Sequence, residues 1–511
     1  MSDEEPLTRR AARQANHSAH VPADPATEVL GGVGGQGMPA GDRPARGLAA
    51  AIARHPNVWM FSALGVIFLL LGSAAVFGGV AIGSAVPVAL VHSETPTPIP
   101  SREVPPEPAV ATALRTCSIN ALAQDPRLLT FEGSVINVTT GEVLFDRNAD
   151  KPAATASVLK VITASAALMT IGPEFRMSTR VYEGATPGSI VLVGGGDPTL
   201  SALPVGVESV YQGAPKLSDL AAQTKTAWER NHPGEDITSV ILDASYWNPA
   251  DKWDPTWQRS EQTIGYHSEV TALMVDGDRA NPQKATSPRS TDPIGRAGDA
   301  FVAALNLPNP VTITLGNATP GLPKLAEVTS QPIKTLIGQM LPMSDNTLAE
   351  MIARVVSKES GGGGTAASLN SIIPGTIANL GLNTAGMFIE DGSGLSAKNA
   401  VPPLLMAQLM AKVATGEQGL GVIKAALPIA GKTGTLASRF TGPNAIARGN
   451  VTAKTGWINS ARTLAGWTKA QDGSVLSFAF YALGPVKANA MDALDTVTTG
   501  VFTCGNNLSN N

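Results

Sequence analysis

The sequence predicts a mixed fold of the α/β (α+β) kind, in which a body of helices and strands is interrupted by a long insert. Three observations carry this reading. The apolar, Ala-rich run containing Val161, Ile162, Ala166 and Leu168, and the pattern Thr347-Leu348-Ala349-Glu350-Met351-Ile352-Ala353, both read as helices. Near the other end, 451–457, 464–467 and 475–481 read as successive strands. Between the two helices lies far more chain than one compact helical subdomain needs, which places an insert at about 179–328.

Taken in order, residues 1–56 are rich in Gly, Pro, Ala and mixed charge, the composition of a disordered tail. No charged residue occurs from Asn57 to Val91, and 58–80 is long and apolar enough to span a bilayer as one helix. Arg43, Arg46 and Arg54 precede it, so the tail is expected in the cytoplasm and everything after about His92 outside. A cleaved signal peptide is the alternative, because Ala81-Ile82-Gly83-Ser84-Ala85 offers small residues for processing. The long charged lead and long apolar stretch favour an uncleaved, single-pass anchor over 57–91. Six prolines between Pro96 and Pro108 make 92–109 an extended spacer.

The body is then expected to be discontinuous, over 110–178 and 329–505, with a tail at 506–511. Strand-like runs at 189–193, 238–243 and 311–315, broken by Gly and Pro, make the insert mostly β. Gly361 to Gly364 reads as a loop within the helical part. Trp247, Trp253, Trp257 and Tyr266 are better placed as insert core than as a binding platform, because aromatic residues supply much of a small domain's buried area. His232 and His267 are expected to be structural or exposed. No His/Cys/Asp grouping has metal spacing, so neither metal nor cofactor is assigned. A net charge of −4 leaves no footprint for nucleic acid. The two cysteines, Cys117 and Cys504, flank the folded region; outside the membrane they read as a disulfide, two unpaired thiols being the alternative.

Three clusters carry the chemistry: Ser157-Val158-Leu159-Lys160, Ser344-Asp345-Asn346 and Lys454-Thr455-Gly456. Residues three apart on a helix share a face, so Ser157 and Lys160 present a hydroxyl and an amine to one point. A serine hydroxyl becomes an effective nucleophile when a neighbour takes its proton, and a lysine does so once burial or a second cation lowers its pKa. Lys454 is the candidate second cation. Each cluster alone is weak, since roughly one chance Ser-x-x-Lys is expected in a chain like this. Their order and their placement on helix, helix-associated loop and edge strand make them a convergent site.

With these clusters the chain resembles the serine penicillin-recognising enzymes. More narrowly, it is similar to the D-alanyl-D-alanine carboxypeptidase/endopeptidase family, the low-molecular-mass class C penicillin-binding proteins. The resemblance runs from about Leu128 to Leu483. It includes the hairpin from Gly133 to Phe145, Leu192-Val193-Gly194-Gly195-Gly196-Asp197-Pro198-Thr199-Leu200, the stretch from Leu242 to Trp247, and Asp391-Gly392-Ser393-Gly394-Leu395-Ser396. It implies a penicillin-binding-protein/β-lactamase-like fold: an antiparallel sheet flanked by helices, a helical subdomain and the insert. It also implies an acyl-enzyme mechanism on peptidoglycan stem peptides, with β-lactams as inhibitors. Ser157 is then the nucleophile, Lys160 its base, Ser344 a proton relay and Asn346 the orienting amide. Lys454 lowers the Lys160 pKa and attracts the substrate carboxylate, and Thr455 and Gly456 complete the substrate strand.

Lys-Thr-Gly also occurs at Lys432-Thr433-Gly434, but that copy sits in a segment resembling the family's Gly-Thr-Leu loop, and only the later copy is followed by sheet neighbours. Trp457 departs from the pattern, because the family usually has a hydroxyl residue there to hold the substrate carboxylate. Its backbone N–H still suits an oxyanion hole with that of Ser157. The rivals are a β-lactamase and a catalytically weak wall-binding or regulatory protein on the same fold.

Overall fold

The structure, a computed structural model, describes residues 114–510. The tail at 1–56, the apolar segment at 57–91 and the Pro-rich segment at 92–109 lie outside the described residues. Among the described residues no helix is long and apolar enough to cross a membrane.

The body opens with β1 (Cys117–Ser118), a one-turn helix α1 (Asn120–Ala123) and the hairpin β2 (Thr130–Asn137) and β3 (Val143–Arg147), followed by α2 (Leu159–Thr170). The insert then contributes β4 (Ser178–Glu183), β5 (Ser189–Gly194), α3 (Leu217–Asn231), β6 (Ser239–Asp243), α4 (Ser260–Ile264), α5 (Pro293–Leu305), β7 (Thr312–Leu315) and β8 (Lys324–Thr329). The chain returns through α6 (Ile333–Met343), α7 (Asn346–Ser357), α8 (Ala366–Ala378), α9 (Pro403–Thr415) and α10 (Gly421–Ala426). It ends in β9 (Val451–Ile458), β10 (Ala461–Lys469), β11 (Val475–Leu483), α11 (Ala490–Cys504) and β12 (Leu508–Ser509).

The main sheet has the order β3-β2-β11-β10-β9, and every neighbouring pair is antiparallel. Ala461 pairs with Ile458 across the two-residue turn Asn459-Ser460, which leaves β9 on the edge. Both faces are covered. Along β11, Phe478, Phe480 and Ala482 pack with Leu494, Val497 and Val501 of α11. Ala479 and Tyr481, on the alternate face, join Val161 and Ile162 of α2 and Leu405, Leu409 and Met410 of α9. Two-sided burial is why 475–481 reads as a continuous apolar run rather than an alternating one. α2 is buried almost all round, which matches its apolar sequence.

The insert's sheet has the order β7-β6-β5-β4-β8. β4 is antiparallel to β5 and β8, whereas β5, β6 and β7 run parallel. This corrects the expectation of a mostly β insert. Parallel neighbours need long crossover connections, and α3 and α5 lie within them. Leu217, Leu220 and Trp228 of α3 and Phe301 and Leu305 of α5 pack on Val240 and Leu242 of the sheet in one core. Other parts of the insert join the core of the body: Tyr211, Trp247, Trp257, Val270 and Met274 cluster with α2 and α7. Trp247 and Trp257 are buried, and Tyr266 lines a cleft between the insert and the body.

Cys117 and Cys504 form a disulfide across a sequence separation of 387. Immediately beyond it β12 pairs parallel with β1, so the two ends of the described chain are stitched side by side.

Candidate active site

Ser157 lies in a 3₁₀ turn, Ala156–Val158, that leads into α2. The turn is locked from behind. Thr463 Oγ1 of β10 donates to the Thr155 carbonyl at 2.6 Å, and Ala156 has φ of +46°, a conformation that residues with a Cβ adopt only when their surroundings impose it. Two glycines permit the close packing. A Cβ on Gly456 would lie 2.0 Å from Thr463 Oγ1 and 2.8 Å from the Thr155 carbonyl oxygen, so the edge strand can lie against the Ser157 turn only without one. A Cβ on Gly394 would lie 1.9 Å from the Ala156 carbonyl oxygen, and Gly394 has φ of +79°.

The Ser-Asp-Asn cluster sits at a helix joint. Ser344 ends α6 in the left-handed region, with φ of +58°, and Asp345 caps α7 by accepting from the Leu348 N–H at 3.0 Å. Asn346 is therefore the first residue of α7, pointing back toward α2. Lys160 Nζ donates to Ser157 Oγ at 3.0 Å, to Asn346 Oδ1 at 2.7 Å and to the Ser393 carbonyl at 2.6 Å. Lys454 Nζ donates to Ser344 Oγ at 2.8 Å and to the Thr455 carbonyl at 2.9 Å. Lys160 thus joins the first cluster to the second, and Lys454 joins the second to the third. Neither lysine has any exposed surface, and Ser344, the most open of the five residues, is 7% exposed. Interactions here are weakly screened by water.

Ser157, Ser344, Thr455, Gly456 and Trp457 line a cleft of about 260 Å³, to which the insert adds Tyr266, Arg279 and Arg289. Asn346 and the two lysines lie beneath its floor. Of the two Lys-Thr-Gly copies it is Lys454 that meets Ser344, while Lys432 is exposed in the turn that follows Gly431. Trp457 stacks under the Arg462 guanidinium, 4.4 Å from the ring centre.

Three features of the site were not read from the motifs. The first is an ion pair from the insert. Arg279 Nη2 donates to Asp345 Oδ2 at 2.7 Å, Arg279 Nη1 donates to Tyr211 OH at 2.8 Å, and Tyr211 OH donates to Asp345 Oδ2 at 3.0 Å. Burial opposes ionisation of Asp345, but Arg279, Arg289 and the Leu348 N–H outweigh it and hold the carboxyl down at about 2. Arg279 and Tyr211 are remote in sequence from Asp345, and no spacing rule links them.

The second is the loop behind Lys160. Asp391 Oδ1 accepts from the N–H groups of Ser393 and Gly394, its Oδ2 from Ser396 N–H and Trp257 Nε1, and Glu350 Oε2 accepts from Gly392 N–H at 2.6 Å. This web fixes the Ser393 carbonyl against Lys160. Burial, with Asp391 adding to it, pushes the Glu350 carboxyl up to about 7 against the opposing pull of Arg354. The Asp-Gly-Ser-Gly run was visible as a match, but its geometric role was not. The third is Thr435, two residues after Thr433 of the earlier Lys-Thr-Gly copy, whose hydroxyl accepts from Thr455 Oγ1 at 2.8 Å.

Among the described residues no histidine takes part. His267 is fully buried edge-on to Trp257, 4.3 Å between ring centres, and burial pushes its pKa down to about 3, so it stays neutral at ordinary pH. His232 lies outside the site, 3.2 Å from Glu183.

The family model for the D-Ala-D-Ala carboxypeptidase 3 (S13) family matches residues 116–292 and 278–501. A carboxypeptidase of Mycobacterium tuberculosis is 34% identical over 401 residues, covering 76% of this chain and 84% of that protein. The carboxypeptidase DacB of Mycolicibacterium smegmatis is 33% identical over 453 residues, 85% of this chain and 94% of its own. Penicillin-binding protein 4 of Haemophilus influenzae shares the fold at a TM-score of 0.62 and 18% identity, over 75% of this chain and 99% of its own. A match over most of the folded chain, together with relatives above 30% identity, settles the family. The chain belongs to the D-Ala-D-Ala carboxypeptidase 3 (S13) family and is a serine-type D-Ala-D-Ala carboxypeptidase.

Proposed function

We propose that the protein trims peptidoglycan stem peptides through an acyl-enzyme on Ser157, that it is inhibited by β-lactams at the same oxygen, and that it works on the outer side of a membrane to which 57–91 anchors it. The observation that carries the chemistry is the hydrogen-bonded path Ser157–Lys160–Asn346, with Ser344–Lys454 beside it.

Ser157 Oγ attacks the carbonyl carbon of the penultimate D-alanine while Lys160 takes its proton. Lys160 is fully buried, and its Nζ lies 3.0 Å from Ser157 Oγ, within direct reach of the proton it has to take. The oxyanion is met by the N–H groups of Ser157 and Trp457, which the close approach of Gly456 to the nucleophile turn brings together. The C–N bond then breaks. Ser344, held by Lys454, relays the proton taken up by Lys160 on to the departing D-alanine amine, giving up its own proton and regaining that one, and Asn346 steers the acyl chain. Water attacks the ester and frees Ser157. The same steps on a cross-link would be endopeptidase activity. The body at 110–178 and 329–505 carries the chemistry, and the insert at 179–328 walls one side of the cleft.

The test is to incubate the purified protein with a fluorescent penicillin and, separately, with a peptide ending in D-Ala-D-Ala. A stable label and released D-alanine are expected. Rapid turnover of the penicillin would make it a β-lactamase instead, and neither label nor release would leave a binding protein.

A further inference from the structure

The terminal carboxylate of a D-Ala-D-Ala peptide needs a cationic or hydroxyl partner, and Trp457 supplies neither. Resting on the carboxypeptidase reading above, we propose that Arg439 is the residue that recognises this carboxylate, with Thr435 and Thr455 supplying hydroxyls beside it.

The cations around the cleft are not equally available. Lys454 is fully buried and its ammonium is bonded to Ser344 and the Thr455 carbonyl. Arg279 is spent on Asp345 and Tyr211. Arg289 donates to the carbonyls of Gly277 and Gly265, and its Nε is sealed from the cleft. Arg439 differs. It lines the same cleft as Ser157 and Thr455, and its side chain keeps 12% of its surface exposed. Its Nε and Nη2 are pinned to the buried Asp495 of α11, at 3.3 and 2.6 Å, and Nη2 also donates to the Met491 carbonyl at 2.9 Å. Nη1 has no hydrogen-bond partner among the described residues. A guanidinium held on one edge by a buried carboxylate is preorganised, so little rotamer entropy is lost when its other edge meets a ligand.

The backbone supports the same placement. Phe440 has φ of +58°, unusual for a bulky residue, and its N–H donates to Asp495 Oδ2 at 3.1 Å, so Asp495 holds both the side chain and the turn that carries it. Four residues before Arg439, the Thr435 hydroxyl meets the Thr455 hydroxyl on the edge strand. Two hydroxyls and one guanidinium edge make a carboxylate seat on the side of the cleft away from the insert. Arg439 is thus a specificity residue, binding the group that distinguishes a free C-terminus from a capped or continuing chain.

The test compares wild type, Arg439→Gln and Arg439→Lys on an acetylated stem peptide ending in D-Ala-D-Ala and on the same peptide with a C-terminal amide, reading kcat/KM from the amine released. Losing one charge-assisted hydrogen bond to the carboxylate should lower kcat/KM for the acid peptide about ten- to hundredfold in Arg439→Gln. The amide peptide should stay within about twofold, and Arg439→Lys should recover part of the loss. An equal loss on both peptides would make Arg439 structural and overturn the proposal, as would wild-type rates on the acid peptide. Wild-type release of D-alanine is the separate control: its absence would overturn the carboxypeptidase reading itself.

Discussion

Replacing Arg279 by Met removes the insert's hold on the Ser-Asp-Asn cluster and leaves Asp345 buried without its ion pair. The side chains of Arg279 and Asp345 are 2% and 3% exposed, so solvent cannot take over the lost partner. Breaking a buried pair by deleting one member costs about 3–5 kcal/mol. The Asp345 carboxyl alone gives a lower figure. Its pKa of about 2, set against the ordinary aspartate value of 3.8, corresponds to about 2 kcal/mol. The larger range applies because deletion leaves an orphaned charge as well as a lost attraction. Because the folded pKa is depressed, this contribution is present above about pH 4 and is lost as pH falls toward about 2, so the penalty of Arg279→Met should shrink on acidification. Urea unfolding at pH 7 and at about pH 2 measures both effects, and kcat/KM at pH 7 reports the displacement of Ser344 and Asn346 on either side of Asp345. Arg279→Met with Asp345→Asn should regain much of the lost stability, because the orphaned charge is gone. A loss under about 1 kcal/mol, the same at both pH values and unrelieved in the double variant, would refute the clamp.

Lys454→Ala should slow acylation by penicillin by orders of magnitude, since about 1.4 kcal/mol of lost transition-state stabilisation is already tenfold, whereas Lys432→Ala should stay near wild type; second-order acylation rates for the two variants decide. Reducing the Cys117–Cys504 bond opens a loop spanning 387 positions and should cost up to about 6 kcal/mol in the chain-entropy view, seen as a lower melting temperature under reductant. Glu350, raised from 4.5 to about 7, favours the protonated folded state. Its contribution is full below about pH 4.5 and lost as pH rises through about 7, so Glu350→Gln should flatten the fall in stability across that window in denaturation curves.

What could be read from the chain was local or motif-bound. The strands at 451–458, 461–469 and 475–483 follow from β-branched and aromatic runs, and α2 and α7 from their apolar content. The reach from Ser157 to Lys160 follows from helical periodicity alone. The insert reads as mostly β because its β-branched strands are the stronger local signal, whereas the buried face of α3, formed by Leu217, Leu220, Ala221, Thr224 and Trp228, is interrupted by polar residues. Its parallel pairing, which requires such helices, is a long-range property. The Arg279–Tyr211–Asp345 triad and the Ser393 carbonyl against Lys160 were invisible for the same reason. Pairings between distant segments leave no periodic trace, and a backbone oxygen carries no side-chain signature.

The acyl-enzyme chemistry turns on Ser157. Intact-mass and peptide-level mass spectrometry of the protein after exposure to benzylpenicillin should show one covalent adduct, located on the peptide containing Ser157, and Ser157→Ala should show none while keeping the wild-type unfolding curve. An adduct on another residue, or undiminished labelling of Ser157→Ala, would contradict it.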